Sequence, residues 1–342
     1  MRSKVTLKDI AKQVGVAEMT VSSALRNVGR VGAETRKKII EAADQLGYRP
    51  NVAARSIRSG HFGSLAMLIS QNHPTPLSMQ MLSGIEKVMN KNNLHLILSQ
   101  LADKEVTDNN YMPQILRQSM TDGLLIKYDI HIPDEMEKIL EQHHFNIPAI
   151  WINSKHKSDC IYPDEIDAGR RATEHLINLG HKNIWYLTYT INKDWHYSIS
   201  DRFTGYKQAM KSAGLQAHWL GKGSEELFRN IRLGLIQELF NSDNCPTAIV
   251  TNNLTTTGMA LLAAAKLNIK VPEELSIITF HDEPVDNSGI LIDTMKLPEY
   301  EIGQRAVEML LEKINDHSVI HKPYIAKYSL ELGDSCVPLC KS

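Results

Sequence analysis

Between Glu18 and Arg26 the chain places Glu18, Met19, Thr20, Ser22, Ser23 and Arg26 around a segment whose other side carries Val21 and Ala24. A carboxylate, three hydroxyls and a guanidinium on one helical face can meet base edges and phosphates, the chemistry of reading a DNA major groove. The competing reading, a plain helical hairpin buried in a core, predicts no basic surroundings. Covalent chemistry has less support. No G-x-G-x-x-G follows a strand, and neither a phosphate-cradling G-x-x-x-x-G-K-[ST] nor a G-x-S-x-G elbow or H-E-x-x-H pair is present. Gly221-Lys-Gly223 is a short turn rather than a phosphate loop. Cys160, Cys245, Cys336 and Cys340 lack paired C-x-x-C spacing. His143-His144 and the pair His175 and His181 lack the companion cysteine or carboxylate of a zinc site. The expectation is a protein that is not an enzyme and uses no cofactor or metal.

The elements that position the polar face follow from local signals. Thr6 and Asp9 form a helix start, and Leu7, Ile10, Ala11 and Val14 make an apolar stripe that ends at Gly15. A second helix starts near Ala17. A third follows Gly32 through Thr35, Ile39, Ile40, Ala43 and Leu46 and ends at Gly47, with Pro50 beyond. A small residue, a glycine four positions on and a β-branched residue six after that make the helix-turn-helix arithmetic of Ala11, Gly15 and Val21. The whole chain of 342 residues carries 38 basic and 39 acidic residues, but the first sixty hold twelve basic against five acidic. The head is therefore strongly positive and the remainder negative, as expected for one module that binds a polyanion and another that does not.

After Gly60 the pattern alternates. Short apolar runs at 65–69, 94–98, 123–127, 149–152, 184–188, 247–251 and 275–280 read as buried strands. Amphipathic segments near 77–89, 111–119, 135–143, 168–179, 202–212, 226–240 and 255–267 read as helices. Such alternation predicts parallel sheets with helices on both faces. About 280 residues exceed one such sheet, so two lobes are expected. Gly180 suits a helix end, with His181 as a capping side chain, and Cys336 and Cys340 lie in a tail expected to fray. No apolar run reaches the roughly 18 residues of a membrane span. Met1-Arg2-Ser3-Lys4 leads into polar helical sequence, so the expected location is cytoplasmic and nucleoid-associated.

Val5-Thr-Leu-Lys-Asp-Ile-Ala11, Thr20-Val-Ser22, Leu46-Gly-Tyr-Arg-Pro-Asn51 and Ala53-Ala-Arg-Ser-Ile-Arg-Ser-Gly60 carry a resemblance to the LacI/GalR (lac-repressor) family of bacterial transcription regulators. Looser likeness continues through Ala172 to His181, Arg202-x-x-Gly205-Tyr206 and Val271-Pro-x-x-Leu-Ser-Ile277. The resemblance implies a small all-α helix-turn-helix head (1–49), a hinge helix (50–60) and an α/β body (61–342). That body is expected to be periplasmic-binding-protein-like, with two Rossmann-like lobes and chain crossings near 160, 290 and 320. It implies DNA contacts from Thr6, Ala17, Glu18, Met19, Thr20, Ser22, Ser23 and Arg26 in the head. In the hinge it implies contacts from Asn51, Ala54, Arg55, Ile57 and Arg58. Ile57 takes the place of an apolar lever inserted into the minor groove, and Arg55 and Arg58 are near enough to neutralise phosphates. Three positions depart from the family pattern: Ala17 and Gly32 stand where capping serines are usual, and Ser23 where an arginine is usual. The lost cap at Ala17 costs about 1 kcal/mol, so weaker or differently anchored DNA binding is expected.

Ligands of open parallel sheets sit at the carboxyl ends of the strands. There the resemblance implies an effector site formed by Ser70, Gln71, Lys127, Asn153, Arg202, Asn252 and His281. Arginine and amides suit hydroxyl-rich ligands such as sugars. Lys127 and His281 replace a small polar and an acidic residue and favour a more acidic effector, phosphorylated or carboxylated. The aromatic turn usual after the first strand is replaced by Asn72-His-Pro-Thr-Pro76. Stacking residues are then sought among Trp151, Trp195, Tyr197 and Trp219, with Trp185 assigned to the core. The implied function is a sequence-specific DNA-binding transcription regulator, a repressor by default, controlled by a sugar or sugar derivative. Its partners would be double-stranded operator DNA and a second copy of itself, with no membrane. Two readings stay open beside it: an effector-independent architectural DNA binder whose body only dimerises, and a sugar-modifying enzyme with a DNA-binding appendage.

Overall fold

The computed structural model describes residues 5–49, 61–70, 77–101, 115, 120–127, 147–188, 196–221, 229–287 and 289–339. The chain divides into two compact units, one ending at Phe62 and the other beginning at Gly63. In the first, α1 (Leu7–Val14), α2 (Glu18–Leu25) and α3 (Ala33–Leu46) enclose Ile10, Ala11, Val21, Ala24, Ile39, Ala42 and Ala43. The Thr6 backbone N–H and hydroxyl both donate to Asp9 Oδ2, at 2.8 and 2.7 Å. These bonds start α1 and hold the Asp9 carboxyl below its ordinary range. Gly15 and Gly47 adopt left-handed φ values of 74° and 66°, which lets the chain leave α1 and α3 without a Cβ clash.

In the second unit β1 (Ser64–Ser70), α4 (Met79–Lys91), β2 (His95–Leu101), β3 (Gly123–Lys127), β4 (Ala149–Ile152) and β5 (Cys160–Pro163) come first. Then follow α5 (Glu165–Asn178), β6 (Ile184–Leu187), α6 (Tyr197–Ser212), β7 (His218–Leu220), α7 (Arg229–Phe240), β8 (Ala248–Thr251) and α8 (Leu254–Lys266). The chain ends with β9 (Ser276–His281), β10 (Val285–Asn287), β11 (Ile290–Lys296), α9 (Glu299–Asn315), β12 (Tyr324–Ala326) and β13 (Ser329–Glu331). Two sheets result. One runs β12-β5-β4-β3-β1-β2 with every pair parallel. The other runs β10-β11-β9-β8-β6-β7, parallel except for the β10–β11 hairpin and the β13 strand against β11. The runs Gly123–Lys127 and Ala248–Thr251 are buried along their whole length, and in the second sheet α5 and α6 cover one face while α7 and α8 cover the other.

The chain passes between the lobes at Asp164, at Leu297–Pro298 and at Lys327–Tyr328, each a few residues beyond the expected place. Several elements have no sequence-based counterpart: β5, β7 and everything after β9, including the 17-residue α9. α5 begins at Glu165 rather than 168 because Asp164 Oδ1 accepts the Asp167 N–H (3.1 Å). α6 begins at Tyr197, five residues ahead of the expected start, with His196 capping Ser198 N. The expected helices at 111–119, apart from helical Ile115, and at 135–143 lie outside the described residues, as do Gly223, His143-His144 and Cys340.

Two corrections concern the tail. The His181 side chain caps no helix: it is buried, with Nδ1 at 3.0 Å from Thr247 Oγ1 and Nε2 at 3.0 Å from the Val337 carbonyl. Through Leu339 the tail is docked rather than frayed. Ile277 N–H donates to the Ser335 carbonyl (2.9 Å), and Leu339 N–H to the Leu179 carbonyl (2.9 Å).

Each lobe holds a helix pair in backbone contact. A Cβ on Gly84 of α4 would lie 2.1 Å from the Tyr300 carbonyl oxygen on α9, and one on Gly205 of α6 would lie 2.1 Å from that of Ile166 on α5. Gly205→Ala is expected to lower stability in urea by about 1–3 kcal/mol or more, since neither backbone can yield. Gly258→Ala, in a helix with open space at that point, is expected to be neutral or to add up to about 1 kcal/mol.

Candidate nucleic-acid interface and interlobe site

On α2 the inward residues Val21 and Ala24 are buried, while Ala17, Glu18 and Met19 are exposed, Met19 by 79%. Thr20, Ser22 and Ser23 are half-buried, so the most accessible part of the helix is its first turn. Arg26 is exposed, and its Nε donates to the Ser22 carbonyl at 3.1 Å, holding the guanidinium along the helix end. Thr6 is exposed at the start of α1. Lys8, Lys12 and Arg30 are also exposed. Lys37 and Lys38 are shared with Glu41 (4.0 Å) and Glu34 (3.0 Å) on α3, pairs so exposed that they contribute little to stability. Asn51, Ala54, Arg55, Ile57 and Arg58 lie outside the described residues.

Ala17 has the extended backbone of an N-cap (φ −70°, ψ 148°) but no side chain to accept the orphan N–H groups of α2. Ala17→Ser should restore that bond. A gain of about 0.5–2 kcal/mol is expected in the unfolding of the head, followed by its helical circular dichroism.

In the body, the structure brings Arg202 and Asn252 together and adds three residues the sequence does not single out. Arg202 of α6 donates from Nε to Glu165 Oε2 (2.5 Å) and from NH2 to Glu165 Oε1 (3.1 Å). NH1 reaches the Asn252 carbonyl (2.8 Å) and NH2 the Tyr328 hydroxyl (3.0 Å). Tyr328 in turn donates to Glu165 Oε2 at 2.8 Å, and the guanidinium carbon lies 4.6 Å from the centroid of the Phe280 ring. Burial disfavours the charged guanidinium. Glu165 and the neighbouring phenols outweigh this and hold Arg202 above its ordinary range. Burial likewise raises Tyr186, whose hydroxyl donates to Asn252 Oδ1 (2.9 Å), and Tyr328. Glu165 opens α5 just after the first crossing and Tyr328 sits in the third, so one guanidinium joins two crossings. Lys327 and Asp164 form a second tie between them (2.5 Å).

Asn153 belongs to a different cluster. Its left-handed backbone (φ 59°) turns the carbonyl to His196 Nε2 (2.9 Å), and its Oδ1 accepts from the Tyr197 hydroxyl (2.9 Å). Lys155 pairs with Asp201 and lies over the Tyr197 ring, 4.7 Å from its centroid. These contacts join the end of β4 in one lobe to the start of α6 in the other, and Gln80 to Glu283 (2.5 Å) makes a further tie between lobes. Lys127 ends β3 with only 2% exposure. His281 ends β9, where its Nδ1 accepts the Asp282 N–H (2.6 Å) and lies against the Asp282 carboxylate. Ser70 ends β1, while Gln71 lies outside the described residues. Among the aromatic candidates, Trp151 is core, stacked on His156 at 4.3 Å. Trp219 is half-exposed on the edge strand β7 against Phe203, Trp195 is not described, and Tyr197 stands beside Asn153. Trp185 is half-buried, packed against the core beneath α7 and α8 and stacked on His218.

Glu165 was hidden because an acidic residue in a first helical turn already has a reason to be there. Tyr328 carries no local signal. Removing either member of the buried pair leaves the other uncompensated, so Arg202→Met and Glu165→Leu should each destabilise by about 3–5 kcal/mol. The double variant should cost much less than the two single losses together, as a urea double-mutant cycle would show.

Comparison with known proteins places this geometry. A profile for periplasmic binding proteins and the sugar binding domain of the LacI family matches residues 63–327, and one for bacterial regulatory proteins of the lacI family matches residues 6–51. The chain is 26% identical over 317 residues to the HTH-type transcriptional repressor PurR of Vibrio vulnificus (strain CMCP6), covering 91% of this chain and 92% of the relative. Among solved structures, the lac repressor dimer bound to operator and the anti-inducer ONPF superposes with a TM-score of 0.76 at 22% identity. That match covers 99% of this chain and all of the other. A complex of the transcriptional regulator CelR with cellobiose superposes with a TM-score of 0.63 at 19% identity over 97% of this chain and all of the other. With its helix-turn-helix head and two-lobed body, the chain belongs to the LacI family of bacterial regulatory proteins, DNA-binding transcription regulators rather than enzymes.

Proposed function

We propose that this protein is a repressor that binds a pseudo-palindromic operator as a homodimer and is controlled by a sugar or sugar derivative held between its lobes. The observation that carries the effector reading is the Arg202–Glu165–Tyr328 cluster. It ties two of the interlobe crossings through one buried guanidinium. A ligand that changed lobe closure would act on those crossings, and through the hinge segments on DNA affinity. By linkage, DNA would change ligand affinity by the same factor. Repression as the sign is supported by the related Vibrio repressor, and sugar as the class by the family profile over the body.

Two heads are needed because one short helix makes too few base contacts, and pairing them raises the effective concentration of the second at its half-site. The DNA contacts assigned to the first turn of α2 and to Arg26, and the minor-groove lever assigned to Ile57, are part of this proposal. Charge favours a neutral effector over an anionic one: Glu165 cancels Arg202, and Asp282 lies against His281.

Footprinting of the protein on its own upstream DNA tests this, with and without neutral sugars, sugar phosphates and nucleobases. The expected result is protection of a two-fold related sequence, weakened steeply by salt and altered by one neutral sugar class. Equal affinity for random oligonucleotides would remove the regulator reading. Tighter binding of an anionic analogue than of every neutral sugar would reverse the effector class. Absence of any ligand-dependent thermal shift would leave the body as a dimerisation module only.

A further inference from the structure

The second lobe brings together three side chains that the sequence keeps far apart. His175 lies in the last turn of α5, Asp293 in the middle of β11 and Cys336 in the docked tail, each with a potential ligand atom within 4.8 Å of the other two. The three elements meet because the tail returns across β9 and β11. Cys336 Sγ is 3.2 Å from the Ile277 carbonyl, and Ser335 Oγ donates to that same oxygen at 2.6 Å. The carboxylate is oriented from behind. Asp293 Oδ1 accepts from Gly333 N (3.2 Å) and Ser335 N (3.3 Å), and the Asp293 N–H donates to Ser335 Oγ (2.8 Å), which turns Oδ2 toward His175 Nε2 at 3.2 Å. His181, the neighbouring imidazole, has both ring nitrogens engaged elsewhere.

We propose that His175 Nε2, Asp293 Oδ2 and Cys336 Sγ form a binding site for a borderline divalent metal ion of the zinc class. Imidazole, carboxylate and thiolate are the ligand types that zinc takes, at bond lengths of about 2.0–2.3 Å. Ligand atoms around such an ion stand about 3.3–3.7 Å apart in tetrahedral geometry. The His175–Asp293 separation is already near that range, and the sulfur needs only a small movement. Oxygen-only ions such as calcium or magnesium do not suit a thiolate and an imidazole. The donors bonded to Asp293 Oδ1 have the character of an outer shell that fixes a metal ligand. On binding, the Cys336 S–H bond breaks, an S–metal bond forms and the proton leaves to solvent, while the thiol gives up its bond to the Ile277 carbonyl. Ten residues of α5 separate His175 from Glu165, a rise of roughly 15 Å, so this site is distinct from the cleft cluster. Its occupation would pin the C-terminal tail to α5 and β11.

Cobalt(II) titration of the full-length, chelator-stripped protein tests the proposal, because a cobalt–thiolate bond absorbs in the near ultraviolet and tetrahedral cobalt in the visible. One equivalent is expected to bind with both bands, zinc is expected to displace it, and zinc should raise Tm. Cys336→Ser should abolish the near-ultraviolet band, whereas Cys245→Ser should keep it. His175→Gln should weaken cobalt binding, and Ser335→Ala should do so by about 10–100-fold. A folded wild-type protein with no thiolate band, or a band that survives in Cys336→Ser, would overturn the site. If Cys336→Ser does not fold, His175→Gln with undiminished cobalt affinity would overturn it equally.

Discussion

A single guanidinium organises the junction between the two lobes. Arg202 carries a full charge into a place from which water is almost excluded, and its stability there depends on a bidentate carboxylate, a phenol, a backbone carbonyl and an aromatic face arriving together. Those partners come from four separate stretches of chain, so the ion pair forms only when both crossings and the ends of β8 and β9 are in register. The pair is therefore a condition on the geometry of the hinge more than a source of net stability. With its charge cancelled and most of its N–H groups used, Arg202 is spent on holding this junction together.

How far this architecture could be read in advance differs by element. The head is nearly transparent: Thr6 with Asp9, Gly15 and Gly47 are local signals whose meaning does not depend on anything distant. Strands β3 and β4 are equally plain, because a strand buried on both faces leaves an uninterrupted apolar run. The stretch after β9 is not. Strands β12 and β13 are three residues each, too short to show any period; β12 pairs with β5, more than a hundred residues earlier, and β13 with β11 across the whole of α9. Glu165 and Tyr328 escape for a related reason. An acid in a first helical turn and a tyrosine between strands look ordinary until the fold places them on one arginine.

The histidine, carboxylate and thiol of the second lobe teach the same lesson from another side. Spacing along the chain detects metal ligands only when two of them share a helix or a loop. Here 118 residues separate His175 from Asp293, and the tail that carries Cys336 reaches them only by docking through Ser335 and Leu339. Residues expected to be idle at a frayed terminus instead complete the packing of β9 and β11. Aromatic residues show the converse. Trp151 has the composition of a sugar platform but sits mid-strand, where the pleat turns it into the core.

The paired glycines of the helices have a mechanical consequence. Where Gly84 and Gly303 bring α4 against α9, and Gly169 and Gly205 bring α5 against α6, main chain rests on main chain with no side-chain cushion between. Such contacts have almost no compliance, so each lobe moves as a stiff plate. Any displacement of one lobe against the other is then concentrated in the three short connecting strips, where a rotation of a few degrees sweeps the far edges of the plates through much larger arcs.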